Sequence, residues 1–172
     1  MIIMYVRHAD DKNDVLTELG KQQCEMLEKY EEEYKFTKIY SSPAKRCVDT
    51  AKALSKKFGI PVEIRKNLNE RETLNGDPKT KKEQLWFDNY LNPEFSSKKP
   101  EGCKEYFGRI FSEIDGMINE HFDKEENVII VAHSGTSYAI SSYFYGVQKG
   151  KDVPWMRVGN CSRIYFEVNK KV

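Results

Sequence analysis

Apolar positions along the chain fall into two kinds of run. Residues 1–6, MIIMYV, are apolar without alternation, which is the pattern of a strand covered on both faces within a parallel sheet. Residues 128–132, VIIVA, repeat it, and short stretches around 38–40 and at 61–64 read as two further strands. The tail SRIYFEV alternates and reads as an edge strand that closes the sheet. Between these runs the spacing is helical. Thr17 stands where an N-cap would, before a helix whose apolar side is predicted to carry Leu19, Met26, Leu27, Tyr30 and Tyr34. Ser41 and Ser42 as caps and Pro43 at the first helical position predict a second helix, with the stripe Val48, Ala51, Leu54 and Phe58 and a stop at Gly59. The longest stripe is Tyr106, Phe107, Ile110, Phe111, Ile114, Met117, Ile118 and Phe122. After His133 the spacing predicts a Ser-Gly turn and one more helix. Residues 72–99 break the pattern, being polar, lysine-rich and punctuated by Gly76, Pro78 and Pro93, and predict a surface excursion with one helix at about 83–90. Strands alternating with helices predict a doubly wound α/β sheet, and 172 residues fit one domain.

Charge narrows the partners. Lys and Arg number 28 against 27 Asp and Glu, a formal net charge of +1, so no global field favours nucleic acid or an anionic membrane, and any affinity for anions must be local. With 39% hydrophobic and 12% aromatic residues the chain has the composition of a folded globule. Cys24, Cys47, Cys103 and Cys161 lie far apart with no C-x-x-C pair, which indicates neither a zinc clip nor a disulfide framework and points to a reducing compartment. The apolar start is too short for the core of a signal peptide, and no stretch approaches the roughly 18 apolar residues of a membrane helix. A soluble cytoplasmic protein is the expectation.

Two core strands end on chemistry. Residues 1–6 run directly into Arg7, His8, Ala9, Asp10 and Asp11, and residues 128–132 into His133 and Ser134. Ligands in doubly wound sheets bind beyond the carboxyl ends of the strands, so if these two strands are parallel neighbours both imidazoles emerge on one edge. Helix N-termini point at the same edge with free N–H groups. Arg46, in the first turn of the second helix, can reach back over it beside Arg7. Two arginines, two imidazoles and backbone donors suit a compact dianion, and phosphate fits best because the planar guanidinium gives paired hydrogen bonds to its oxygens. Each residue also has a plain structural role open to it. Arg7 could pair with Asp10 or Asp11, Arg46 could be an exposed helix cation, and His121, at the end of the longest stripe, reads as a surface residue. No His-x-His or His-Glu-x-x-His spacing organises a metal, so neither metal nor cofactor is expected.

The order of motifs resembles the histidine phosphatase superfamily, the phosphoglycerate-mutase-like fold. VRHADD is similar to its Arg-His-Gly opening, LTELGKQQ to its first helix, IYSSPAKRCVDTA to its Ser-x-x-x-Arg-x-x-x-Thr-Ala segment, LNERE to its Leu-x-Glu acid loop, and VIIVAHSG to the segment of its second histidine. The resemblance covers nearly the whole chain except roughly residues 72–99. It implies a three-layer α/β/α domain over 1–172 with a mostly parallel sheet and an antiparallel closing edge strand. It also implies a phosphatase acting on a small phosphorylated substrate without a cofactor. His8 matches the nucleophile, Arg7 and Arg46 the phosphate clamps, His133 the second imidazole, Glu70 the proton donor, and Ser134 adds to the phosphate-binding set. A mutase is the runner-up, with Arg71 as a possible substrate contact. A phosphohistidine phosphatase and a non-catalytic phosphate-binding module are further alternatives. Ala9 replaces the family's glycine, and Asp10, Asp11, Lys12, Asn13 and Asp14 form an acidic loop where the family has a Glu/Gln-Thr/Ser pair and a later Asn. That loop is expected to disfavour polyanions unless its carboxylates turn away.

Overall fold

A computed structural model of the chain describes residues 1–72, 74, 77–90, 92–146 and 158–169. Its sheet has five strands, β1 (Ile2–Arg7), β4 (Phe36–Ser41), β5 (Val62–Ile64), β6 (Asn127–Ala132) and β7 (Arg163–Glu167), in the order β5-β4-β6-β1-β7. All neighbours are parallel except β7, which runs antiparallel to β1 on the edge. Two short strands, β2 (Asp11–Lys12) and β3 (Val15–Leu16), form a hairpin of their own. The fold class is thus the α/β architecture expected, with its antiparallel closing strand.

The unbroken apolar runs follow from burial on both faces. Ile3 and Tyr5 of β1, with Val128 and Ile130 of β6, pack against α4 (Cys103–His121) and α5 (Ser134–Tyr145). Met4, Val6, Ile129 and Val131 pack the other way, against α1 (Glu18–Lys29) and α2 (Lys45–Phe58). Side chains alternate across a strand, so six apolar residues in sequence serve two cores at once.

Several local expectations are corrected. Thr17 caps α1 through its hydroxyl, which accepts from Gly20 N, but Leu19 and Met26 are 54% and 70% exposed. The buried row is instead Gly20, Cys24 and Leu27: Leu27 packs into the core shared with α2, and Gly20 lets the Asp10 carbonyl lie against the helix, while Tyr30 already leaves the helix with extended backbone. Helix α2 starts two residues later than predicted, with Ala44 as an N-cap that has no capping side chain. Asp14 takes the N–H groups of Lys45 and Arg46 from outside, and Ser42, in long contact with Ala44 N at 3.4 Å, also serves a second role. The helix stops at Gly59, whose φ of +70° is left-handed. Serine and glycine after His133 make no separate turn, because α5 begins at Ser134 itself.

His121 is the clearest error of sequence reading. It is fully buried, with Nε2 2.6 Å from the Tyr40 hydroxyl and Nδ1 2.6 Å from Glu126 Oε2. The left-handed turn at Glu125 folds Glu126 back onto it. The periodicity contained the answer, since His121 stands four residues after Met117 and three after Ile118 on the buried side of α4.

Within 72–99, α3 (Lys81–Asp88) lies two residues earlier than predicted at each end, set by a reciprocal capping box between Thr80 and Glu83. Trp86 anchors it, donating Nε1–H to the Glu101 carbonyl at 2.9 Å. Among the described residues no helix is long and apolar enough to cross a membrane.

Candidate functional site

Pairing of β1 with β6 places Arg7 opposite Ala132, so the next residue of each strand, His8 and His133, leaves the sheet side by side. His8 N still donates to the Ala132 carbonyl at 2.9 Å. The two rings meet edge to face, with centroids 5.5 Å apart. Tyr5, fully buried in β1, donates its hydroxyl to the His133 carbonyl and fixes that corner. Thr50 of α2 accepts from Ala9 N at 2.9 Å and fixes the other.

Arg46 bridges the imidazoles. Its Nε is 3.3 Å from His8 Nε2 and its Nη2 is 3.0 Å from His133 Nδ1. Guanidinium has no acceptor, so these two ring nitrogens are the bare ones. The protons then sit on His8 Nδ1, which donates to the Ala9 carbonyl at 2.8 Å, and on His133 Nε2, which donates to Ser42 Oγ at 2.7 Å. Burial is the main cause that lowers the pKa of His8, helped by Arg46 and Arg7 and opposed by the Ala9 carbonyl and Asp11. For His133 burial, then Arg46 and His8, push the pKa down to about 2. Both rings are neutral at pH 7. Cys47 Sγ lies 3.6 Å from His133 Nε2, but burial raises its thiol pKa to about 12 and keeps it protonated.

Neutral buried imidazoles make stability depend on pH in a defined direction. Below about 6.5 an unfolded histidine takes up a proton that the folded His8 and His133 do not, so falling pH favours the unfolded chain, and above that value the two add nothing. The unfolding free energy from urea titration is expected to fall between pH 6.5 and 5.5, by on the order of 1 kcal/mol from His133 and further in the same direction from His8, and His133→Asn should flatten part of that slope. A stability that is level or rising on acidification through this window would contradict the neutral pair.

Glu70 sits on the same edge, over the start of α5. Its carboxylate accepts from Gly135 N at 3.3 Å, Arg71 N at 3.0 Å and the Tyr106 hydroxyl at 3.1 Å. A side chain at Gly135 would collide with it, so glycine there is what lets the carboxylate approach the helix. Arg109 of α4 holds the carrier loop through the carbonyls of Asn69 at 2.8 Å and Glu70 at 3.3 Å and is itself paired with Glu101. From sequence alone Tyr106 stands only in the apolar stripe, and Arg109 is not singled out. They stand three apart on α4, so one helical face reaches the Glu70 loop.

Ser134 opens α5 beside His133 and is half-buried. Arg7 ends β1 with its Nη1 donating to the Val158 carbonyl, and its Nε is buried with no hydrogen-bond partner among the described residues. His8, Arg46 and His133 are therefore in direct contact, while Arg7, Glu70 and Ser134 border them. Arg71 turns the other way. It is 5% exposed, with Nε donating to the Glu101 carbonyl at 3.1 Å and its guanidinium carbon 4.0 Å from the Tyr90 ring centre, so it ties the 72–99 segment down instead of facing the imidazoles.

The acidic loop divides. Asp10 turns away, accepting from the Thr17 hydroxyl at the start of α1, whereas Asp11 and Asp14 face inward. Asp11 Oδ1 lies 3.6 Å from His8 Nδ1, and Asp14 pairs with Arg46 at 3.0 Å. Among the described residues no three His, Cys, Asp or Glu side chains are grouped to hold a metal ion.

Comparison with known proteins bears on the fold and the family. Among solved structures, YhfR of Bacillus stearothermophilus superposes with a TM-score of 0.79 at 22% identity, over 99% of this chain and 92% of that one. The α-ribazole phosphatase of Shigella flexneri gives 0.74 at 19%, over 99% and 92%, and a mycobacterial glucosyl-3-phosphoglycerate phosphatase 0.74 at 18%, over 95% and 88%. At such identities these share the fold. A curated relative, "Putative phosphoserine phosphatase 2" of Hydrogenobacter thermophilus, is 29% identical over 143 residues, 77% of this chain and 67% of that protein. The family profile that matches, over residues 5–171, is the histidine phosphatase superfamily, branch 1, and to that superfamily the chain belongs.

Proposed function

We propose that the chain is a phosphatase that hydrolyses a small phosphate monoester through a phosphohistidine on His8, with Glu70 as proton donor. The observation that carries the reading is the bare Nε2 of His8, neutral and held within reach of Arg46, with a second neutral imidazole beside it. Phosphoryl transfer depends on in-line positioning and on charge at the equatorial oxygens, which Arg46, Arg7 and the N–H of Ser134 supply once phosphate enters. In the first step the Nε2 lone pair forms a bond to phosphorus as the ester P–O bond breaks, and Glu70 gives its proton to the departing oxygen. In the second, water attacks phosphorus, returns a proton to Glu70 and releases His8 and inorganic phosphate. Relatives named as phosphatases support hydrolysis over transfer to a second substrate.

A panel of phosphate monoesters assayed with the purified protein, with and without EDTA, tests this. Release of inorganic phosphate from at least one ester at a rate that EDTA leaves within about twofold is expected, because the positive charge a metal would supply is already present in Arg7 and Arg46. Phosphate moved between positions of a sugar acid without release would mean a mutase. No turnover on any ester would leave a binding module.

A further inference from the structure

Asp14 occupies the donors that a phosphoryl group needs. It sits in the turn of the β2–β3 hairpin, where Asn13 and Asp14 both have left-handed backbone, φ +52° and +64°, and this turn aims its carboxylate at the start of α2. Oδ2 accepts from Lys45 N at 3.0 Å, and Oδ1 accepts from Arg46 N at 3.1 Å and from Arg46 Nη1 at 3.0 Å. Two helix N-terminal N–H groups and a guanidinium make a set of donors suited to phosphate oxygens. Arg46 is consequently spent on three internal partners, Nη1 on Asp14, Nη2 on His133 and Nε on His8 Nε2, the lone pair that must attack phosphorus.

We infer that Asp14 is an internal competitor for the phosphoryl group, a specificity-determining residue whose carboxylate must release Arg46 before a phosphoester can be seated. The inference rests on the phosphatase reading above. Its consequence is weak retention of inorganic phosphate, the product, and a dependence on the rest of the ester for productive binding, since like charges placed side by side cost affinity. Release is feasible because the Asp14 side chain is 43% exposed while that of Arg46 is 22% exposed. The displaced carboxylate rotates into water, and exposed ion pairs are weak. Burial tends to raise the Asp14 pKa, but the N–H groups of Arg46 and Lys45 and the guanidinium together lower it, so the competitor is charged throughout the neutral range.

Binding of inorganic phosphate and of vanadate, measured by calorimetric titration and as competitive inhibition, tests it in the wild type, Asp14→Asn, Asp14→Ser and Asp10→Asn. Asparagine and serine keep an oxygen to cap α2 but remove the charge, and serine covers the case in which one variant fails to fold. Asp10→Asn changes net charge equally at a carboxylate that faces Thr17. The expected result is phosphate affinity about tenfold or more tighter in the Asp14 variants and within about twofold of wild type in Asp10→Asn. Equal tightening in all three would mean general electrostatics and would overturn the inference, as would unchanged or weaker phosphate binding in both folded Asp14 variants. Absence of binding to every protein, wild type included, would overturn the phosphatase reading and this inference with it.

Discussion

The His8→Ala protein is expected to lose phosphatase activity by about 10⁴-fold or more, the scale on which removal of a nucleophile acts, and to take no label from a radiolabelled phosphate ester. In the wild type, rapid quenching without acid should recover an adduct that is acid-labile and base-stable and that maps to His8. Position is the reason. His8 is 7% exposed at the end of β1, its Nδ1 proton is committed to the Ala9 carbonyl, and its other nitrogen is bare. A neutral imidazole is a competent nucleophile near pH 7, and burial and Arg46 keep it neutral. A rival nucleophile beside the site is Cys47, whose thiol is held up at about 12 and packs against His133. Label recovered on a cysteine, serine or aspartate would exclude the mechanism. His133→Ala should retain a trace of phosphorylation, because it leaves the attacking nitrogen in place and removes only one neighbour of Arg46.

What the sequence shows plainly is whatever depends on local pattern. A short apolar run without alternation reads as a strand with two covers, so β1 and β6 were legible, while the meeting of His8 with His133 hung on the two strands being parallel neighbours, which the register of β1 with β6 supplies. Thr17, Gly59 and the long stripe of α4 were legible for the same reason, because caps and periodicity act over a single turn. What the sequence hides depends on partners distant along the chain. Ser42 looks like a helix cap, yet it keeps only a long contact from Ala44 N at 3.4 Å, the next two amides are taken by Asp14, thirty-one and thirty-two residues before them, and its hydroxyl is shared with His133, ninety-one residues away. Arg71 resembles a substrate contact in its local motif, but Trp86 and Tyr90 offer it aromatic faces that appear only once the 72–99 segment folds back. For His121 the periodicity was present, and the residue type outweighed it. A polar side chain at the end of an apolar stripe was read as exposed, although a buried tyrosine hydroxyl and a folded-back glutamate satisfy both of its nitrogens.

Glu70→Gln is expected to slow hydrolysis of alkyl and sugar phosphates by roughly 10²–10⁴-fold and hydrolysis of p-nitrophenyl phosphate far less. An alkoxide is a poor leaving group and needs a proton in the transition state, whereas p-nitrophenolate departs without one. A substitution that merely disturbed the pocket would slow both substrates alike, so the ratio of the two rates, and not either rate alone, reports the role. Glutamine is the right replacement for this loop. It keeps an oxygen for Arg71 N and the Tyr106 hydroxyl, both now bonded to Oε1, and it is nearly the size of glutamate in a position where Gly135 leaves little room. It gives up the long bond from Gly135 N at 3.3 Å to Oε2, a loss common to both substrates, and it cannot deliver a carboxylic proton and take one back from water in the second step. Arg109→Lys offers a contrast, since the carbonyls of Asn69 and Glu70 that Arg109 grips lose a planar donor pair while the carboxylate itself is untouched. That variant should slow both substrates by similar factors, as expected of a positioning residue. Equal losses on both substrates for Glu70→Gln would reassign Glu70 to the same supporting role and require the proton to come from another group.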